Sequence, residues 1–487
     1  MGPRITQVRL LLGCLAVVIV MGAATSLGMP ADAAAQPNII VVETDDQAEG
    51  MLQAMPTVES RIIDKGVRFE NSFVNFPLCC PSRSTFLTGQ YAHNHRVLGN
   101  VSPGGFQKFN LLHGENNVAV WLQRAGYRTA LVGKYLNGFG TNGDASVPKG
   151  WSRWFAATAP NPQNVYDYDL DVNGHIVHFG TSVGDFKQDV LTRYAVQFVG
   201  NAAPSSRPFF LWLTYTAPHN AQPTLNPQPP VDCLNTAKPA PRHANAFDSA
   251  PLPMAPNFNE ADVSDKPQQV RALASLDDAA VADLTRRYRC ELESLLSVDE
   301  GVGAVLDQLR TDRELYKTYI IFTSDNGYFH GEHRRTSGKG LPYEESIRVP
   351  LAMRGPGIPR GATSSELVSN ADLAPTIVRA SGARPGLTMD GLSLLPFARD
   401  PMLRVPHPLS IEAHAFSATV GYEGVRTQNY AYVRYATGET ELYDLRNDPF
   451  ELENVHADPT YSQVELGLRA LLRRIASCSG SSCRSRP

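Results

Sequence analysis

Four short apolar runs constrain this chain more than any other feature, because each ends in residues that a buried strand would not keep. Ile39–Val42, Thr129–Val132, Phe209–Tyr215 and Tyr319–Phe322 are rich in β-branched and aromatic residues and read as buried strands. They lead into Asp45-Asp46, Lys134, His219 and Asp325-Asn326 respectively. Helical patterns separate them. The clearest sets Leu284, Tyr288, Leu292, Leu295, Val298, Val302, Val305 and Leu309 at three- and four-residue steps. Strands alternating with helices predict an α/β fold with a large, mostly parallel sheet flanked by helices. In such sheets ligands bind beyond the carboxyl ends of the strands, and all four polar groups fall on that edge.

The rest of the chain divides around this core. Arg4 and Arg9 precede an apolar stretch from Leu10 to Val20, and Ala33-Ala34-Ala35 offers a small-residue cleavage site. Residues 1–35 therefore read as a secretory signal peptide, which predicts a secreted or cell-envelope (periplasmic) protein. No later segment has ~18 uninterrupted apolar residues, so no stable membrane anchor is expected. Removing Arg4 and Arg9 from 44 basic residues, and Asp32 from 48 acidic ones, leaves 42 and 47, a net charge of -5. With no Lys/Arg run either, nucleic acid is not an expected partner. Residues 36–395 are expected to form the main domain and 396–487 a smaller α+β subdomain. There Tyr430–Tyr435 and Glu441–Leu445 read as antiparallel strands, followed by a helix near 461–475. Residues 218–267 hold 11 Pro and read as a long irregular excursion. It starts at His219, so it is expected to wall the site.

Of seven Cys, Cys14 leaves with the leader. An exported chain sits where disulfides persist. Cys478 and Cys483, close together in a polar tail, are expected to pair, and Cys233 with Cys290 is a plausible second pair, although spacing does not fix connectivity. That leaves Cys79-Cys80, which as neighbours rarely satisfy disulfide geometry.

The chemistry begins with oxygen ligands. Asp45, Asp46, Asp325 and Asn326 suit Ca²⁺ or Mg²⁺, whereas zinc would want His or Cys. Either pair alone reads more simply as loop caps. Both following core strands favours a metal.

Cys79-Cys80-Pro81-Ser82-Arg83, followed by Thr88-Gly89, resembles the sulfatase signature. The resemblance runs through nearly the whole chain in order: Pro37–Asp46, Gly133–Asn137, Ala217-Pro218-His219, Ser324–Tyr328 with Gly331-Glu332-His333, Lys339 in a Gly-Lys-Gly turn, and Leu442–Leu445. CCPSR, GKYLN and Asn94-His95 look most like the N-acetylglucosamine-6-sulfatase branch and bacterial arylsulfatase-type members. The resemblance implies an alkaline-phosphatase-like fold and oxidation of Cys79 to Cα-formylglycine (3-oxoalanine) by a separate maturation enzyme. It implies a metal held by Asp45, Asp46, Asp325, Asn326 and the modified residue 79. Arg83, Lys134, His219 and Lys339 would be catalytic, acting on a sulfate-ester substrate of the sulfated-sugar or aryl class. The aldehyde hydrate would attack sulfur, giving a covalent sulfo-enzyme that collapses to sulfate and aldehyde. Leu136 departs from the many members with His at that position. Asn137, His95 and His333 are then candidates for the base of the second step, and His95 and His333 for a substrate wall. One alternative is a phosphonate monoester or phosphodiester hydrolase on the same scaffold. Another is a non-catalytic glycan-binding protein, disfavoured because Cys79, Arg83 and all four oxygen ligands stand. Asn100-Val101-Ser102 is a sequon without meaning in a bacterial source.

Overall fold

All four apolar runs become strands of one ten-stranded sheet. Its members are β1 (Asn38–Asp45), β2 (Val67–Phe73), β3 (Arg128–Gly133), β4 (Arg153–Ala157), β5 (Tyr168–Val172), β6 (His175–Phe179), β7 (Phe209–Pro218), β8 (Thr318–Ser324), β9 (Leu351–Arg354) and β10 (Ala362–Ser369). Their order is β10-β2-β9-β8-β1-β7-β3-β4-β5-β6. The predicted strands sit together as β8-β1-β7-β3, mutually parallel, so their carboxyl ends share one edge. Antiparallel pairing enters at β9 and at the β4-β5-β6 margin. The sheet is therefore mixed, with a parallel centre.

The computed structural model describes residues 1–2 and 36–484, apart from 103, 144–145, 161, 204, 206, 222–232, 234 and 416–418. The expected signal peptide thus lies outside the described residues except for Met1 and Gly2, and so does part of the proline-rich excursion. Residues 36–487 form one compact unit. Among the described residues no helix is long and apolar enough to cross a membrane.

Side-chain alternation along β1 feeds two cores. Ile40 and Val42 pack with Leu292, Leu295 and Val298 of the 34-residue helix Asp278–Thr311. Ile39 and Val41 pack on the other face with Trp212 and with Phe86 and Leu87 of the helix Cys79–Thr88. A strand apolar on both faces is what a central parallel strand requires. Asp277 caps the long helix by accepting from Ala280 N at 2.8 Å.

Beyond the main sheet, β11 (Leu409–Ala413), β12 (Tyr422–Arg426), β13 (Tyr430–Tyr435) and β14 (Thr440–Asp444) form an antiparallel meander. The helix Ser462–Ile475 covers one face through Leu468, Leu471, Leu472 and Ile475. The opposite face, with Leu409, Ile411 and Val433, packs on Phe73, Phe76 and Ile347 of the main body. The expected boundary at 395 falls at the helix Leu395–Arg399, whose Leu395 and Phe397 belong to the main core. The meander itself begins only at Leu409. Cys233–Cys290 and Cys478–Cys483 are disulfides, with S–S distances of 2.04 Å, and Cys79 and Cys80 are free.

Candidate active site

The end of β1 is bent to present two successive carboxylates. Its ladder to β7 shifts register between Glu43 and Asp45, and a bulge of this kind re-aims the next side chain. Asp46 then takes φ 68°, a left-handed conformation that Asp tolerates better than most residues. On the β8 side, Asp325 N donates to Thr44 O at 3.1 Å, which brings the second acidic pair level with the first. The pairs interlock. Asp46 N donates to Asp325 Oδ1 at 3.2 Å, and Asn326 Nδ2 donates to Asp46 Oδ1 at 2.7 Å.

Cations close over this acidic group. Lys134 Nζ donates to Asp45 Oδ2 at 2.6 Å. Gly133, just before it, has φ 118°, and a Cβ there would stand 1.8 Å from Thr214 O, so only glycine lets β3 reach this edge. Lys339 Nζ is bonded to Asp46 Oδ1. His219 Nδ1 donates to Asn220 O at 2.8 Å, which aims Nε2 at Asp46 Oδ2, 3.7 Å away.

The helix Cys79–Thr88 delivers the last members. Every residue in it is buried. Its N-cap, Leu78, offers no side-chain acceptor, and Asn100 Oδ1 instead accepts from Cys80 N at 2.8 Å. Cys79 Sγ lies 3.8 Å from Asp45 Oδ1. Ligand atoms of Asp45, Asp46, Cys79 and His219 all fall within 4.8 Å of one another. Arg83 is wholly enclosed. Its Nε donates to Asp325 Oδ2 at 2.8 Å and Nη1 to Lys134 O at 2.9 Å. Only the nitrogen Nη2 lacks a partner, so Arg83 first braces a carboxylate and a strand end and leaves the Nη2 N–H groups for an anion.

Electrostatics follow from this packing. Burial alone would push the Asp45 carboxyl up, but Lys134 and then His219 outweigh it and hold Asp45 below the usual carboxylate range. Burial and Lys339 act in the same opposed way on Asp46, with the same result. Burial pushes the Cys79 thiol up, which makes an unmodified thiol there a weak nucleophile. Asn326 Oδ1 is buried without a partner, as is Arg83 Nη2. An orphaned oxygen among three carboxylates fits a hard cation, and an orphaned guanidinium N–H fits an anionic oxygen.

Three expectations need correction. His95 and His333 are fully enclosed and face no substrate space. His95 Nε2 is held by Thr85 Oγ1 at 3.0 Å, and its Nδ1 accepts from Val97 N, so it supports the motif helix from behind. His333 donates from Nδ1 to Glu260 Oε2 at 2.7 Å and stacks on Tyr343. Asn137 N donates to the sulfur of Cys80, not Cys79, at 3.0 Å. None of these three makes a hydrogen bond to Cys79, which weakens each as the base of the second step. Sequence reasoning also missed Glu43. It accepts from Trp212 Nε1 at 2.6 Å beneath Arg83, and burial, opposed by Arg83, pushes its carboxyl up to about 7. A Glu directly after the apolar run Ile39–Val42, still inside β1, was the available signal.

Comparison with known proteins gives the family. Residues 37–383 match the sulfatase family, and residues 331–477 match the C-terminal domain of N-sulphoglucosamine sulphohydrolase. An extracellular sulfatase homolog of Caenorhabditis elegans is 36% identical over 366 residues, covering 74% of this chain and 49% of that protein. The chain thus spans about half the length of that curated relative. N-acetylglucosamine-6-sulfatase of Capra hircus is 32% identical over 500 residues, covering 92% and 85% of the two chains. A solved structure in complex with its substrate D-glucosamine-2-N,6-O-disulfate superimposes with a TM-score of 0.73 at 25% identity, covering 90% of this chain and 97% of the other. Matching the sulfatase family over residues 37–383, and 32% identical to the goat enzyme across 92% of its own length, the chain belongs to the sulfatase family of sulfuric ester hydrolases.

Proposed function

We propose that this chain hydrolyses sulfate esters of sugars, 6-O-sulfated glucosamines foremost, using a Cα-formylglycine made from Cys79 by a maturation enzyme, in a secreted or cell-envelope setting. The observation that carries the reading is the meeting of Cys79, two interlocked carboxylate pairs and two lysines on one buried edge. The glucosamine class is supported by the goat enzyme's name and by the disulfated sugar in the solved relative.

Asp45, Asp46, Asp325 and Asn326 would hold Ca²⁺, or Mg²⁺, with residue 79 beside them. When bound, the cation and the hydrated aldehyde supply the Lewis acid and the nucleophile. The chain's own residues do the rest. Lys134 and Lys339 flank the acidic pair and offset charge on the transferring sulfuryl group. Arg83 keeps Asp325 in place and offers Nη2 to a sulfate oxygen. His219, with Nδ1–H fixed on Asn220 O, can give the Nε2–H of its imidazolium form to the departing oxygen, and Lys339 is the second candidate for that proton.

Mass spectrometry of the tryptic peptide that begins after Arg68 tests the cofactor: an aldehyde at position 79 is expected. Steady-state rates on N-acetylglucosamine-6-O-sulfate, 4-nitrophenyl sulfate and a phosphonate monoester test the reaction class. Higher kcat/KM on the phosphonate than on both sulfates would replace this reading with the phosphonate hydrolase one.

A further inference from the structure

The loop that delivers Lys339 carries a second cation, and that one has no acid to hold. Residues 331–340 fold back on themselves: Phe329 N donates to Gly338 O at 3.0 Å, and Gly331 N donates to Arg335 O and Arg335 N to Glu332 O, both at 2.8 Å. Neighbouring segments fasten the loop, with Arg287 Nη2 donating to Thr336 O at 2.6 Å and His333 N to Asn257 O at 2.8 Å. Lys339 leaves this loop to bind Asp46. Arg335 folds over it: Nη2 lies 3.7 Å from the point where a Cβ on Gly338 would stand. Gly338 directly precedes Lys339, and consecutive Cα atoms are about 3.8 Å apart. The guanidinium therefore lies next to the backbone from which that lysine reaches the acidic edge.

The charged residues around Arg335 are occupied. Arg334 gives its three nitrogens to Glu260 O, Leu273 O and Ala261 O. Arg287 pairs with Asp283, and Arg348 with Glu344. Glu332, in the same loop, turns Oε2 to His330 N. Arg335 itself is partly buried, and among the described residues its guanidinium has neither an ion pair nor a hydrogen bond; its Nε is buried with no partner. Burial, opposed by the phenols of Tyr343 and Tyr328, holds it below the ordinary arginine range, and no carboxylate is among the groups that oppose burial. Arginine keeps its charge even so. A charged side chain this enclosed is ordinarily paired, and a buried donor without an acceptor calls for one. The planar fork of a guanidinium matches the oxygens of a sulfate or a carboxylate. In the reading above, the transferring sulfuryl group is met by Lys134, Lys339 and Arg83. Arg335 stands outside that set, so it faces a different anionic group.

We infer that Arg335 is a specificity-determining residue that binds a second anionic group of the substrate, a sulfate or carboxylate beside the ester that is cleaved. The inference rests on the sulfatase reading and adds the substrate's second charge to it. Two sources have this chemistry: a second sulfate on the same ring, as in the disulfated sugar bound by the solved relative, and the carboxylate of a uronic acid joined to that ring.

The test compares kcat/KM for three sugar esters in the wild type, Arg335→Gln and Arg335→Lys. N-acetylglucosamine-6-O-sulfate carries one anion. Glucosamine-2-N,6-O-disulfate carries a second on the same ring, and a uronic acid joined to N-acetylglucosamine-6-O-sulfate carries it on the next. The wild type is expected to favour one of the doubly anionic esters over the singly anionic one by about tenfold, the scale of one charge-assisted hydrogen bond, and the one it favours names the source. In Arg335→Gln that ratio should shrink to within threefold. Arg335→Lys should keep an intermediate ratio, because an ammonium supplies the charge without the fork. A wild type without the ratio, or a loss in Arg335→Gln shared equally by all three esters, overturns the inference. Calorimetric titration of the same three sugars into Cys79→Ala protein, with and without Arg335→Gln, reads the contact without turnover. Binding of a doubly anionic sugar that weakens about tenfold relative to the singly anionic one upholds the contact even if the wild type hydrolyses no sulfate ester. An unchanged ratio for both refutes it even if all three are hydrolysed.

Discussion

Two of the places where this molecule buries carboxylates treat them in opposite ways. At the end of β1, Asp45 and Asp46 face Lys134 and Lys339, and both acids are held below their ordinary range. In the C-terminal meander, Glu441 faces three phenols: Tyr343, Tyr435 and Tyr443 donate to it at 2.7, 2.5 and 2.6 Å. Burial wins there, and the acid is pushed up even though each phenol pulls it back. Neutral donors satisfy the oxygens of an acid without making the site a home for charge. Cations do both. The first cluster is built to hold ions of both signs. The second fastens Tyr343, from the segment after β8, to β13 and β14.

The strongest way to break this contrast is at its reactive member. Cys79→Ala should lower sulfate-ester turnover by about 10⁴-fold or more while the thermal midpoint stays near that of the wild type, because a buried Ala leaves every charge pair intact. Initial-rate assays and calorimetric melting read the two halves of that statement. Next comes Asp325→Ala, which strips Arg83 of its buried partner. Leaving a buried guanidinium unpaired should cost about 3–5 kcal/mol in denaturant unfolding, together with loss of bound metal by elemental analysis. Asp325→Asn should restore part of the stability and less of the metal.

Acid–base behaviour sharpens the contrast further. Glu441 is raised in the folded chain, so the unfolded chain releases that proton first and folding loses stability as pH climbs above the ordinary value of 4.5. Asp45 is lowered, so its contribution is present above 3.8 and is lost as pH falls through its folded value. Unfolding midpoints followed across pH should therefore lose a falling slope in Glu441→Gln and a rising one in Asp45→Asn. Slopes of the same sign in both variants would end the comparison. The smallest effect is expected at Asn100→Ala. It removes the acceptor at the motif helix N-terminus and should cost about 1 kcal/mol, with kcat/KM changed less than threefold.

The four central strands β1, β3, β7 and β8 and their terminal residues were legible because burial on both faces demands unbroken apolar runs, and the polar residue that ends each run stands out. β13 and the final helix were legible for similar reasons: Tyr430–Tyr435 and Ser462–Ile475 lie where alternation and three- to four-residue spacing put them. β11 and β12 were not, because five-residue strands holding Glu412, Glu423 and Gly424 lack a clean pattern. The histidines misled because proximity in sequence to a motif says nothing of depth. His95 follows the motif closely and supports it from behind. Asn100 was read only as a sequon, since capping of a helix twenty residues away leaves no local mark.

The interlock of Asp46 with Asp325 and Asn326 joins residues 279 and 280 positions apart, and Arg83 reaches Asp325 across 242. Contacts this distant in sequence form only after a long loop closes, which makes them late and slow events in folding. No fragment ending before β8 can own the centre, whatever local structure it keeps. Enzymatic activity is therefore a clock for the assembly of this chain: its appearance during refolding would time the docking of β8 onto β1, whereas secondary-structure signals would time only the pieces.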